Sequence, residues 1–163
     1  MYQFDIAIIG AGVIGLSVAA HVARPNRKVI VLEKNDSFGQ ETSTRNSGVI
    51  HAGFYYPEGS LKARLCLEGN SLLYEMCHKH SIPFGNPGKL VVARDNSELE
   101  QILTLSEQGK KNDVPGLKLL SRQELKSLEP NVEGTAALLS ATTGIIDAHA
   151  LMHVFLQEAT QKG

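Results

Sequence analysis

The sequence predicts an α/β fold in which a Rossmann-like sheet of parallel strands carries an inserted α+β segment. Three observations lead there. Two short apolar runs, Phe4–Ile9 and Lys28–Leu32, bracket a helical stretch, and strand, helix and strand at that spacing make a βαβ unit with a right-handed crossover. Gly10, Gly12 and Gly15 stand as G-x-G-x-x-G at the first strand-to-helix junction. From residue 86 onward strands and helices mix without that spacing, as an α+β segment does.

Each element has its own reason. Phe4 to Ile9 is short and rich in isoleucine, as a strand buried on both faces requires. Val13 to Arg24 reads as a helix that Pro25 stops, because a residue before proline avoids helical dihedrals. Lys28 to Leu32 (KVIVL) is a second buried strand. Residues 35–59 hold many Gly, Ser, Thr and Asn and no long period, and a loop of that length inside a compact domain is usually functional. Ser60 to His80 is the next helix, with Leu61, Leu65, Leu72, Leu73, Met76 and Cys77 on an apolar stripe. Pro83, Gly85, Pro87 and Gly88 break it before the strand Lys89–Ala93 (KLVVA). Helices follow near Ser97–Lys110 and Ser121–Leu128, then strands at Ala136–Ser140 and Gly144–Ile146. The last helix starts near Asp147, a residue suited to an N-cap, and carries Leu151, Val154, Phe155 and Ala159 on one face.

These elements suggest three regions. Residues 1–85 form the dinucleotide-binding part, 86–145 the first excursion into a substrate domain, and 146–163 a helix returning to the first part. Two clear strands do not finish a parallel sheet, so the chain reads as truncated. An unpaired edge in such a sheet invites homo-oligomers.

Composition excludes several classes. A formal net charge of −1 supplies no basic field to gather nucleic acid or an anionic membrane surface. The apolar opening Ile6–Ser17 (IAIIGAGVIGLS) lacks the positive start of a signal peptide, and a spanning helix wants about 20 apolar residues without three early glycines. A cytoplasmic protein is expected. The 2 cysteines, Cys66 and Cys77, do not make a disulfide framework. On one helix their separation is about 16 Å by helical rise, beyond the about 7 Å that a bridge tolerates between Cα atoms. They read as reduced thiols.

The glycine motif carries the first chemistry. Gly10 permits a tight turn, Gly12 leaves room for a pyrophosphate against the backbone, and Gly15 lets helix and strand pack closely. The helix N-terminus presents free N–H groups and partial positive charge to phosphates. Glu33 ends the second strand, where an acid accepts hydrogen bonds from an adenosine ribose. Such an acid disfavours a 2′-phosphate and leaves FAD and NAD both open. The segment after it, Glu41 to Gly53, is full of small residues, which suits backbone packed against a flat ring system.

The stretch ETSTRNSGVIHAGFYYPEGSLKARLCLEG, together with GKLVVA, LEP at Leu128–Pro130 and GIIDAHAL at Gly144–Leu151, resembles the L-2-hydroxyglutarate dehydrogenases and oxidases. These lie within the glycine-oxidase and D-amino-acid-oxidase superfamily of flavoproteins. The resemblance covers essentially the whole chain and only the N-terminal portion of the family's length. It implies FAD held by Gly10, Gly12, Gly15 and Glu33, with Thr42, Ser43, Arg45, Asn46, Ser47 and His51 near the cofactor. The implied reaction oxidises L-2-hydroxyglutarate to 2-oxoglutarate. Alternatives are a glycine or D-amino-acid oxidase-like flavoprotein and a nucleotide-binding fragment without turnover. The electron acceptor, whether oxygen, a quinone or another carrier, is open.

His51 is the candidate catalytic residue, since imidazole titrates near neutral pH and can take the substrate hydroxyl proton. The other readings are a covalent flavin link and a histidine bonded to loop backbone. Arg45, Lys62 and Arg64 can grip the carboxylates of a dicarboxylic acid, or the last two simply decorate a solvated helix face. Tyr55 and Tyr56 line a pocket or serve packing. His149 and His153 stand four apart, a metal-capable spacing without a third ligand, and no metal site is expected from them or from His78 and His80. Ser43, Ser47 and His51 lack the G-x-S-x-G elbow of a hydrolase.

Overall fold

The βαβ unit forms from the apolar runs at the start of the chain. In the computed structural model, which describes residues 3–162, strands Ile6–Ile9 (β1) and Val29–Leu32 (β2) pair in parallel, Ile6 opposite Val29 and Ile9 opposite Leu32. Met1, Tyr2 and Gly163, the outermost residues of the expected first and last regions, lie outside the described residues. Helix Val13–Val22 (α1) joins the two strands and ends before Arg24, because Ala23 already takes extended dihedrals (φ −63°, ψ 133°) ahead of the Pro25 turn.

Downstream follow Val49–Ile50 (β3), Leu61–His80 (α2), Phe84–Gly85 (β4), Lys89–Ala93 (β5), Asn96–Lys111 (α3), Leu117–Ser121 (β6), Arg122–Leu128 (α4), Ala136–Ser140 (β7), Gly144–Ile146 (β8) and Ala148–Lys162 (α5). β3, β4 and β6 stand outside the sequence expectation. The first two are too short to carry a period, and β6 owes its conformation to its partner β7 rather than to alternation of its own.

The chain divides into two compact units. One comprises the chain through Gly48, the segment Cys77–Pro83 and the chain from Ile146 onward. In it α1 packs against α5, with Ala11, Leu16 and Met152 buried together and Val31, Phe38 and Phe155 around them. Asp147 caps α5, its Oδ1 accepting from the amides of His149 and Ala150, both at 2.9 Å.

The other unit comprises Val49–Met76 and Phe84–Ile145. Its antiparallel sheet has the order β5-β7-β6. Ala52, Phe54, Ala93, Ile102 and Leu138 share one core over it, and Leu120, Leu125 and Ala137 share a second. Fully burying a side chain such as Phe54 or Leu138 contributes about 1.5–3 kcal/mol. α3 and α4 start on side-chain caps: Asp95 Oδ1 accepts from the Glu98 amide at 2.9 Å, and Ser121 with Glu124 makes a capping box. By contacts residues 49–76 go with 84–145, whereas the division expected from sequence joined them to residues 1–48. The cause is visible in Ala52 and Phe54, which are buried in the core of the β5–β7 sheet.

Candidate dinucleotide and substrate sites

The first unit builds a tight turn and an open helix mouth from the glycine motif. β1 ends in Gly10, whose amide donates to the Leu32 carbonyl at 2.7 Å and whose φ of +96° is a left-handed turn that disfavours any side chain. A Cβ on Gly15 would collide with the Gly10 carbonyl oxygen, so only glycine lets α1 start this close to the turn. Gly12 is the N-cap of α1 and has no side chain to cap with. The first-turn amides of a helix lack intrahelical acceptors, and Ser43 reaches back to supply one, its Oγ accepting from the Val13 amide at 3.0 Å. A Cβ at Gly12 would stand 2.9 Å from that oxygen.

Glu33 faces the same turn. Its Oε2 accepts from the Ala11 amide at 2.8 Å, and its Oε1 from the Asn35 amide at 3.0 Å. Those backbone donors hold its carboxyl below the usual carboxylate range, the Ala11 amide most of all. An ionised carboxylate beside the turn, backbone N–H groups at a helix mouth and a hydroxyl above them form a donor and acceptor set that fits an adenosine diphosphate moiety. FAD fits these residues.

The loop after β2 is held against this seat by its own bonds. The Gly39 amide donates to Ala11 carbonyl at 3.0 Å, and Thr44 Oγ1 donates to Gly39 carbonyl at 2.6 Å. Asn46 organises the next turn: Nδ2 donates to the carbonyls of Thr42 (3.1 Å) and Ser43 (2.9 Å), and Oδ1 accepts from the Gly48 amide at 2.7 Å. A cavity of about 270 Å³ lies between Thr44, Asn46, Ser47 and Gly48 on one side and Asp147 and His149 on the other. Of the loop residues picked from sequence, Ser43 is therefore at the helix mouth, and Asn46 and Ser47 line this cavity. Thr42 and Arg45 have exposed side chains. His149 stacks on Phe38 at 5.0 Å between ring centroids, and His153 meets the same ring edge-on at 4.9 Å. Among the described residues no group of three metal-capable side chains converges.

The second unit contains His51. Its backbone carbonyl accepts from Asn70 Nδ2 at 3.0 Å and from the Cys66 thiol at 3.5 Å, which fixes the backbone while leaving the imidazole exposed. Partial desolvation by neighbouring atoms pushes its pKa below the ordinary histidine value, and the Lys89 and Lys62 charges add to that. The ring is thus kept neutral, the form that accepts a proton. Arg64 pairs with Glu68 on α2 at 3.7 Å, both side chains exposed. Cys66 and Cys77 are free thiols on α2, and burial raises the pKa of both.

The glycines and Glu33 expected from sequence lie together at this turn, and two contacts there had no sequence signal. That Ser43 caps α1 has no local signal, because the two partners are thirty positions apart. Asn35, which shares the Glu33 carboxylate through its amide and Nδ2 (3.2 Å), sits just after the strand-end acid and was readable only as part of the loop.

A parallel βαβ unit with a glycine turn and strand-end acid is the arrangement of dinucleotide-binding folds, and comparison with known proteins gives the family. The profile of the FAD dependent oxidoreductase family, DAO, matches residues 5–163, and the chain belongs to that family. The L-2-hydroxyglutarate dehydrogenase, mitochondrial, of Arabidopsis thaliana is 45% identical over 150 residues, 92% of this chain and 31% of its own length. The glycerol 3-phosphate dehydrogenase of Caloramator mitchellensis is 38% identical over 163 residues, covering 99% of this chain and 34% of its own length. Among solved structures, the dithionite-reduced L-alpha-glycerophosphate oxidase from Mycoplasma pneumoniae with FAD bound superposes with a TM-score of 0.92 at 31% identity, over 99% of this chain and 44% of that one. The chain thus spans about a third of the length of the curated relatives it matches. Among the described residues no helix is long and apolar enough to cross a membrane.

Proposed function

We propose that the chain is the FAD-holding N-terminal portion of an oxidoreductase that converts a small 2-hydroxy acid, L-2-hydroxyglutarate foremost, to the 2-oxo acid. The observation that carries the reading is the seat made by Gly10, Gly15, Glu33 and Ser43 around the α1 N-terminus. There Gly12, Val13 and Ser43 hold the diphosphate, Glu33 holds the ribose hydroxyls, and Asn46 and Ser47 shape the loop beside the ring. Thr42 and Arg45 keep supporting places at the edge of that loop.

FAD, when bound, supplies the two-electron acceptor for the hydride leaving the carbinol carbon. His51 takes the hydroxyl proton, so the C–H electrons and the O–H proton leave by separate routes. Its neutral, exposed ring suits that task. Cytoplasm is the proposed compartment, although the Arabidopsis relative is named mitochondrial, and fractionation of the source cell decides between them.

Calorimetry of FAD with the chain, and anaerobic bleaching of bound flavin by L-2-hydroxyglutarate in a polypeptide that includes the downstream region, tests the reading. Saturable FAD binding and bleaching support it. Absence of FAD binding in both polypeptides overturns it, and bleaching by glycine in place of the hydroxy acid moves it to the amine-oxidising branch.

A further inference from the structure

Three cations attract attention as carboxylate partners in the sequence, and the structure separates them. Arg64 is paired with Glu68, and Arg45 belongs to the other compact unit. Lys62 shares its unit with His51, and so does Lys89, a residue that nothing in the sequence singled out. Lys62 lays its Nζ 4.5 Å from the centroid of the Tyr56 ring. Lys89 lays its own 4.6 Å from the Tyr55 ring and 5.9 Å from that of Phe54.

The aromatic platform is anchored. Phe54 is 1% exposed, and its ring lies 4.2 Å from that of Tyr55. Gln108 Nε2 donates to the Phe54 carbonyl at 3.1 Å, and Asn112 Nδ2 donates to the Tyr56 carbonyl at 2.8 Å. An ammonium over an aromatic face keeps its charge and its outward N–H donors. Lys34, Lys110, Lys111, Lys118, Lys126 and Lys162 each reach a carboxylate. Among the described residues, Lys62 and Lys89 form no such ion pair. Each cation is braced on one of two adjacent tyrosines, and Lys62 stands one helical turn before Cys66, whose thiol meets the His51 carbonyl, so an anion beside His51 has two ammonium groups to meet.

We propose that Lys62 and Lys89, braced on Tyr56 and Tyr55, form an anion subsite for the distal charged group of the substrate, with its hydroxyl carbon turned toward His51. The inference rests on the oxidoreductase reading and adds a substrate requirement to it: an oxyanion, carboxylate or phosphate, at the end away from the reacting carbon. The two relatives differ in that group, one named for hydroxyglutarate and the other for glycerol 3-phosphate.

Titration of the full chain without flavin tests this, with glutarate and inorganic phosphate as probes and glutaramide as the neutral control. Calorimetry and the shift of the His51 ring proton are the readouts. Both anions bind saturably and move the His51 signal, and glutaramide does neither. Lys62→Gln and Lys89→Gln each weaken binding about tenfold, as loss of a charge-assisted hydrogen bond does, and Lys89→Arg restores most of it. The tighter of the two probes identifies carboxylate or phosphate as the source. Tyr55→Leu and Tyr56→Leu loosen the same site if a lysine variant fails to fold. Equal affinity in the wild type and in the Lys62→Gln/Lys89→Gln double variant overturns the proposal, as does binding that leaves His51 unmoved. Because no flavin takes part, that failure leaves the oxidoreductase reading standing.

Discussion

A single methyl group is enough to spoil the phosphate seat. Gly15→Ala drives a Cβ into the Gly10 carbonyl, a backbone atom that cannot swing aside. The expected cost is that of overpacking, about 1–3 kcal/mol, seen as a lower Tm together with lost FAD affinity; unchanged values of both refute the packing argument. Glu33 acts through charge. Its folded pKa is depressed by the Ala11 and Asn35 amides, so its contribution is complete above the ordinary carboxylate value of 4.5 and fades as pH falls through the lowered one. Glu33→Ala removes that acid dependence and frees the Ala11 amide, which hydrogen exchange at Ala11 reads directly. For His51 the depression means a neutral ring at neutral pH. In the flavin-loaded enzyme the acid limb of kcat/KM accordingly falls below the ordinary value of 6.5, and His51→Ala lowers kcat by about 10²–10⁴. A limb that survives in the alanine variant assigns it to another group.

At the scale of elements, the helix ends decide most of the local order. α4 is short, and its start depends on Ser121, Glu124 and Lys118: the Lys118 Nζ lies 2.9 Å from Glu124 Oε1 while Oε2 accepts from the Ser121 amide at 2.8 Å. Lys118 first, then Ser121, lowers the Glu124 carboxyl to about 2 from its ordinary 4.5. The capping box therefore stays complete above about 4.5 and opens only as pH falls toward about 2. A titration of the Glu124 carboxyl by NMR checks this, and Glu124→Gln frays α4 in hydrogen exchange. The elements legible in the sequence are those with their own period or breakers: IAII, VIVL and KLVVA as strands, and the α2 stripe ended by Pro83 and Gly85. The turn glycines and Glu33 were legible because the chemistry demands those types. β6 (LKLLS) was not, since its apolar residues do not alternate, nor was the Ser43 contact, which exists only once residues 13 and 43 meet.

For the molecule as a whole, the apolar residues left outside are informative. Ile9 is 89% exposed, Ile14 73% and Leu32 51%, all on the βαβ unit. Exposed apolar surface of this kind beside two short parallel strands favours association of the chain with itself. Sedimentation across concentration should show dimers or larger species, and Ile9→Lys with Leu32→Lys should return the monomer; a concentration-independent monomer in the unaltered chain refutes the expectation. Ser43 has a further consequence. By accepting from the Val13 N–H its oxygen keeps its own hydrogen available, polarised by the helix beneath, so on the proposed reading the loop lends the diphosphate a donor that α1 does not encode. On the proposed reading FAD retention is a joint property of two distant pieces of chain, and a protease nick between Phe38 and Ser43 should release the flavin from a domain whose strands and helices remain intact.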